Sequence, residues 1–478
     1  MSWIKKKLPE VLLVSLLLAT GFYFRLIGIS TNHSFWADEA FVSNISRDIL
    51  SGDINIIDGI SFLSYQGMQI ITTVLSFGVF GFSEWSARIP GVIWGTIGII
   101  FAYLLGKKLS NKAGGYLAGY LFAFSQLNLA HSTQAKPFAA IETLVLATIY
   151  FLDNHLLISL ILAIISSLYN YIGLVAFIPI IISQGKNINL LKKNPIKAII
   201  ILSTITILLW FIRFDKIIFR LTQVQYNWIS HLRELFWRQY SFIILPGIIG
   251  LFTIRDKKIL YSIGFVITSI VFSWTFVGYS RNLRYLMPVF GLFIVLFGAF
   301  WGNVGEKLLH RSMVICSLVA LMVFLGGYKI VRMPSVYYTP NADFFADVQN
   351  ADYKTFFRKA YEMFPDLDTL PIFTGPHDSL SWYTKRFPTA LFSINVTNPT
   401  YIDVVQSWQY GSLAKFISEK DKYDKGLVMV HDWQSFMPEE IKSYVKKNMK
   451  LELRVESLEV SPDDKWPLEL YSWGFDEK

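Results

Sequence analysis

The sequence predicts an all-α polytopic membrane protein with about eleven transmembrane helices, followed by a soluble C-terminal α/β domain. Three observations carry that reading. Of 478 residues, 53% are hydrophobic and 17% charged, with a mean hydropathy of +0.42, whereas a soluble chain has about a quarter charged residues. Long apolar runs recur as far as residue 330. Charge then changes sign: residues 1–330 hold 27 Lys and Arg against 13 Asp and Glu, and residues 331–478 hold 17 against 22. The net +9 is therefore +14 on the apolar part and −5 on the tail. In a membrane protein a basic excess marks cytoplasmic loops, so it is a topology signal and no nucleic-acid partner is implied. The single cysteine, Cys316, sits in an apolar run, which excludes an intrachain disulfide and a cysteine-based metal site.

Lys5, Lys6 and Lys7 precede an apolar stretch, Leu8 to Gly28, interrupted only by Pro9, Glu10 and Arg25. No small-x-small cleavage pattern follows, so it reads as a retained first helix with a cytoplasmic N-terminus. Further spans are expected at 89–106, 113–130, 138–152, 197–212, 241–253, 259–277, 285–301 and 312–330. The run 156–183 is broken by Tyr169, Asn170, Tyr171 and Gly173, which predicts two short helices meeting at a turn. Met68–Phe82 is short and contains Gln69, Thr72, Thr73 and Ser76. If it does not cross, the clusters Lys107/Lys108/Lys112, Lys186/Lys192/Lys193/Lys197, Arg255/Lys257/Lys258 and Lys307/Arg311 share the side of Lys5–Lys7. If it crosses, all of them move to the opposite side, against the positive-inside rule. It is therefore read as a juxtamembrane helix within a long first outer loop, 30–87.

Residues 1–330 thus form a transmembrane domain and 331–478 an extracytoplasmic one, in a multi-pass cell-membrane protein. In the second domain, strand-like runs at Leu370–Thr374, Gly426–His431, Leu451–Val460 and Leu468–Trp473 accompany helix-like runs at Leu413–Lys422 and Pro438–Asn448. That mixture predicts a small α/β domain.

Two sets of residues can carry chemistry. In the first outer loop, Phe35-Trp36-Ala37-Asp38-Glu39-Ala40 sets two adjacent carboxylates beside aromatic rings. A carboxylate there can act as general base toward a hydroxyl, with an aromatic face to hold a carbohydrate; Asp38 is equally suited to cap a helix from Ala40 to Leu50. The second set is cationic. Lys136 lies in His131–Phe138, and Arg281, Arg284 and Tyr285 lie in Ser280–Pro288, both short outer loops where the positive-inside rule disfavours positive charge. Arg88 closes the first loop, and Arg213, Lys216, Arg220, Arg233 and Arg238 occupy the loop 213–240. These cations require anionic partners: a lipid phosphate, which guanidinium forks match, or lipid headgroups and outer acids. His33, His131 and His231 show no metal-ligand spacing, so no metal-binding residues are assigned.

An Asp-Glu pair in the first outer loop is followed in order by Ala87-Arg88-Ile89-Pro90, Leu105-Gly106-Lys107-Lys108-Leu109, the Ser132–Phe138 stretch with Ala135-Lys136-Pro137-Phe138, and Arg284-Tyr285-Leu286-Met287-Pro288. This ordered set, over roughly residues 8–300, resembles the family 39-like membrane glycosyltransferases of the GT-C fold. That group includes the protein O-mannosyltransferases and the lipid A aminoarabinose transferases. The resemblance implies Asp38 as catalytic base, with Glu39 assisting acceptor or ion binding. It sets Lys136, Arg284 and Tyr285 against the phosphate of a polyprenyl-phosphate sugar, a donor site that the cation placement extends to Arg281 and Arg88. The acceptor would be a hydroxyl of a protein, lipid or glycan at the outer face.

Two departures bear on the donor and on any divalent metal ion, the one cofactor left open. Relatives often carry His-Pro-Pro or Lys-Pro where this chain has Tyr65-Gln66-Gly67-Met68, and Arg-Pro-Tyr where it has Lys136-Pro137-Phe138. Two other functions are compatible with outer cations: a lipid-carrier flippase, against which it counts that most spans are uninterrupted apolar runs, and an assembly subunit acting through the C-terminal domain with the transferase site degenerate.

Overall fold

The computed structural model describes residues 2–31, 34–35, 37–62, 66–184, 240–276, 283–327, 330, 332, 351–375, 377–394, 396, 398–402, 406–431, 437–456 and 467–475. The expected span 197–212, the lysines from 186 to 197, the cations of 213–238 and Arg281 fall outside them. The chain folds into two compact units, Met1–Thr31 with Ile49–Tyr337, and Asn32–Asp48 with Tyr338–Lys478.

In chain order the helices begin with α1 (Ser2–Thr31), α2 (Ala37–Ser51), α3 (Ile56–Phe62), α4 (Gly67–Phe80) and α5 (Glu84–Leu109). They continue with α6 (Lys112–Phe124), α7 (Gln126–Ser132), α8 (Phe138–Phe151), α9 (Leu156–Tyr169) and α10 (Phe177–Gln184). After these come α11 (Ser241–Phe252), α12 (Lys257–Phe276), α13 (Met287–Leu309) and α14 (Ser312–Gly326). Among the described residues, Leu8–Ile27, Glu84–Leu109 and Arg284–Lys307 are long and apolar enough to cross a membrane, and six further apolar helices are shorter.

One end of the helical unit is fastened by Glu10, which accepts from the Tyr103 hydroxyl (2.6 Å) and pairs with Lys107 and with Lys112 (2.7 Å). At the same end the Asn111 amide donates to Gly302 O (2.9 Å) and the Asn303 amide to Thr253 Oγ1 (3.2 Å). The basic turn 107–112 therefore gathers with the first turns of α1. At the other end, Arg88 Nη1 donates to Ile29 O (3.3 Å). Ile29, near the end of α1, and Arg88, near the start of α5, thus lie at the same end of the bundle. A reciprocal Ser83–Ser86 capping box starts α5 there.

The structure departs from the single helix expected over 113–130. The chain breaks at Ser125, whose backbone is extended and whose Oγ accepts from Asn128 N, restarting the helix as α7. Arg25, fully buried, donates to Phe122 O (3.2 Å) and Ala123 O (3.1 Å), supplying partners for carbonyls that the helix end leaves open. Apolar composition runs through the break, so hydropathy did not reveal it. The 156–183 run does divide, at Asn170, whose side chain caps a short 3-10 turn, Tyr171–Ala176.

The second unit adds α15 (Tyr353–Met363), β1 (Ile372–Thr374), α16 (Asp378–Thr384), β2 (Ala390–Phe392), β3 (Thr400–Ile402), β4 (Ser407–Tyr410) and α17 (Leu413–Lys420). It ends with β5 (Gly426–His431), α18 (Glu439–Asn448), β6 (Lys450–Val455) and β7 (Leu468–Trp473). The sheet order is β3-β4-β2-β1-β5-β7-β6; β4, β2, β1 and β5 run parallel, while β3, β7 and β6 are antiparallel to their neighbours. Residues alternate between the two sheet faces, as a pleat demands. Ile372, Leu427, Met429 and Leu470 pack under Phe356, Phe357 and Ala360 of α15 and Leu380 of α16, whereas Phe373, Val428, Val430 and Tyr471 pack under Phe416 of α17 and Ile441 and Val445 of α18. This unit also takes in residues 32–48, and with them most of α2.

Candidate functional site

The helical unit draws Lys136, Arg284 and Tyr285 together. Lys136 stands in the turn between α7 and α8 and is largely buried; Arg284 and Tyr285 lie in the 3-10 turn Leu283–Leu286 that leads into α13. Phe138 joins them. Its ring meets Tyr285 at 5.5 Å and 84°, and the Arg284 guanidinium lies 5.7 Å from the Phe138 ring centre and 5.4 Å from that of Tyr285. Such cation–π contacts orient the guanidinium without consuming its N–H donors. Tyr171 approaches Tyr285 (6.3 Å between rings), His131 packs edge-on against Phe138 (6.0 Å), and the charges of Lys136 and Arg284 both reach His131.

Glycine on α5 sets this turn in place. A Cβ on Gly91 would stand 2.8 Å from Gln134 O and 3.0 Å from Ser132 O, and one on Gly95 would stand 2.8 Å from Arg25 Nε. Only a residue without a side chain lets the 132–134 backbone and the Arg25 guanidinium lie so close to the helix. The cluster consequently sits at the bundle end of Arg88 and Ile29, away from Glu10.

Arg88 has a different environment from Arg284. It is fully buried on α5, bonded to Ile29 O and 3.8 Å from Glu84, a setting that ties α5 to the end of α1. Arg281 lies outside the described residues.

Asp38 and Glu39 belong to the other unit. The helix begins at Ala37, one residue before Asp38, so both acids lie in the first turn and Asp38 is not its cap. They point differently: Asp38 is exposed and Glu39 fully buried. Negative charge in a first turn is favoured by the helix dipole.

Sequence reasoning missed Glu142 on α8. It is buried where α8 meets Gly291 of α13, within reach of the Arg25 charge. An acid inside an otherwise apolar run was the available signal. Among the described residues no group of three or more His, Cys, Asp or Glu is placed to hold a metal ion; Asp38 and Glu39 are two carboxylates facing different surroundings, and they do not make a metal site by themselves.

Comparison with known proteins gives one family match and a shared fold. Residues 70–210 match the family described as dolichyl-phosphate-mannose-protein mannosyltransferase. The crystal structure of ArnT from Cupriavidus metallidurans bound to undecaprenyl phosphate is similar over 98% of both chains, with a TM-score of 0.59 at 11% identity. The oligosaccharyltransferase of Archaeoglobus fulgidus, in its apo form, is similar over 90% of this chain and 70% of its own, with a TM-score of 0.51 at 11% identity. Among curated proteins, no sequence matches the chain. The chain thus shares the fold of these proteins, and its match to the family model lies within residues 70–210.

Proposed function

We propose that this protein is a glycosyltransferase that moves a hexose or pentose from a polyprenyl phosphate of the dolichyl or undecaprenyl type to an acceptor hydroxyl on the outer face of the membrane. The observation that carries the reading is that Arg284 and Tyr285 pack on Phe138, two residues after Lys136, while the charges of Lys136 and Arg284 both reach His131. Two cations and a phenol at one membrane end suit a phosphate dianion, and a protein of the same fold, ArnT, was solved with undecaprenyl phosphate.

The reaction is a single displacement. The acceptor oxygen forms a bond to the anomeric carbon as the bond from that carbon to the phosphate oxygen breaks, and the electron pair leaves with the lipid phosphate. Lys136, Arg284 and Tyr285 stabilise the charge that grows there. Asp38, exposed in the first turn of α2, takes the acceptor proton, with Glu39 supporting the acid-bearing turn. The anomeric configuration inverts. In this reading the N-terminus is cytoplasmic, the C-terminal unit extracytoplasmic, and the acceptor a protein, lipid or glycan.

The test is to incubate purified protein with a labelled polyprenyl-phosphate sugar and an outer-face acceptor fraction. Free polyprenyl phosphate is the expected product; none above the level of a heat-inactivated control would overturn the transferase reading in favour of a carrier or assembly role.

A further inference from the structure

The soluble C-terminal unit has no assigned role, yet it holds the helix that carries Asp38 and Glu39. The contacts run along the whole segment. Ser34 Oγ accepts from Lys354 N (3.0 Å), Phe35 N donates to the Tyr383 hydroxyl (3.0 Å), and the Phe35 ring packs on Trp382 (4.9 Å). On α2 itself, Phe41 faces the His377 ring (6.1 Å), the Asn44 amide donates to Asp378 O (2.9 Å), and Arg47 Nη1 donates to Ser381 O (3.1 Å). Positions 41, 44 and 47 recur at helical spacing and therefore share a face. That face lies along α16.

The seat is itself a particular place in the sheet. Strands β1 and β5 are parallel neighbours, but the helix leaving β1 (α16) packs on one face and the helix after β5 (α18) on the other. Where adjacent parallel strands send their connections to opposite faces, an α/β sheet opens the crevice in which such folds hold ligands. Here α16, leaving that point, holds a helix of the first outer loop.

A helix of this length has little stability of its own in water, and Asp38 stands exposed in its first turn. Where that turn stands is set by α2. Asn44 and Arg47 reach backbone carbonyls, acceptors whose position is set by α16 and not by a rotamer. We infer that the C-terminal unit is the positioning device for the acid pair, with Asn44 and Arg47 as positioning residues that aim Asp38 through α2. The inference rests on Asp38 acting as the base.

The experiment compares Asn44→Ala, Arg47→Ala and the double variant with wild type, in the full-length protein, by steady-state kinetics and by hydrogen exchange of the 38–48 amides. The expected result is a kcat loss of about tenfold or more, since misplacement near an ångström is costly, with donor KM unchanged. Exchange in α2 rises, and Arg47→Lys, which keeps an N–H for Ser381 O, recovers part of kcat. If Asn44→Ala does not fold, Tyr383→Phe loosens the same segment from the domain side by removing the acceptor for Phe35 N. Unchanged kcat in variants whose α2 exchange has risen overturns the positioning role, as does a rise in donor KM at constant kcat. Asp38→Asn separates the two readings: if it is inactive while the positioning variants turn over normally, only this inference fails; if it is fully active, the base assignment fails and this inference with it.

Discussion

Glu142 of α8 occupies the space that a side chain at Gly291 of α13 would need: a Cβ on Gly291 would stand 2.6 Å from Glu142 Oε1 and 2.8 Å from its Cγ. The pair marks the crossing of the helix that follows Lys136 with the helix that follows Arg284. Their close approach sets the spacing of the two cations, because each helix continues directly from the turn that presents its cation.

Gly291→Ala therefore displaces the Glu142 side chain from its place against α13. Overpacking of this kind costs about 1–3 kcal/mol. The expected outcome is a lower thermal midpoint and a higher apparent donor KM, read from melting curves and donor titrations. Glu142→Gln keeps the shape and should leave the midpoint nearer wild type than Gly291→Ala does; the reverse order would show that the carboxyl charge, and not the fit, governs this crossing.

Asp38→Asn keeps the size of the side chain but removes its basicity. Turnover should fall by about 10²–10⁴-fold, the usual worth of a general base, with expression intact. Wild-type turnover would end the assignment. Glu39 is buried, so Glu39→Gln should lower both turnover and stability.

Arg284→Ala and Lys136→Ala should each raise the donor KM by about tenfold, the equivalent of one charge-assisted hydrogen bond. Arg88→Ala acts differently. Its guanidinium is bonded to Ile29 O and faces Glu84, so the main effect is a lower melting temperature. A donor KM that does not respond to Arg284→Ala would reduce that arginine to an interfacial anchor.

The His377–Asp378 pair (2.8 Å) makes the C-terminal unit sensitive to pH. Burial lowers the affinity of His377 for a proton, but the Asp378 carboxylate more than offsets this and the pKa rises above its ordinary 6.5. A raised folded-state pKa means that the pair's stabilisation is fully present below 6.5 and is lost as pH climbs through the raised value. Its worth is about 0.5–1 kcal/mol for a partly exposed pair. Melting of wild type against His377→Gln should show the two converging as pH rises; parallel curves would argue that the ring contributes by packing on Phe41 alone.

Legibility in the sequence followed length and local pattern. Gly426–His431 and Leu468–Trp473 are strands over the residues expected, because six consecutive positions suffice to show strand character. The three- and four-residue strands β2, β3 and β4 were missed, since so short a run shows no period and their pairing partners are distant. The break at Ser125 was hidden for a related reason. It depends on Arg25, which is remote in sequence and supplies the partners for the helix end.

The sequence by itself determined that this chain is a helical membrane protein with a C-terminal α/β unit, and which acids and cations were candidates for chemistry. Those properties are local: apolar length, charge bias and residue order. Tertiary structure alone decided which cations meet, that Arg88 is buried against Ile29 while Arg284 lies over Phe138 and Tyr285, and that the helix bearing Asp38 belongs with residues 338–478. Each of these depends on side chains brought together across long separations. Packing and hydrogen bonding select such contacts only once the chain has folded, and no local pattern records them.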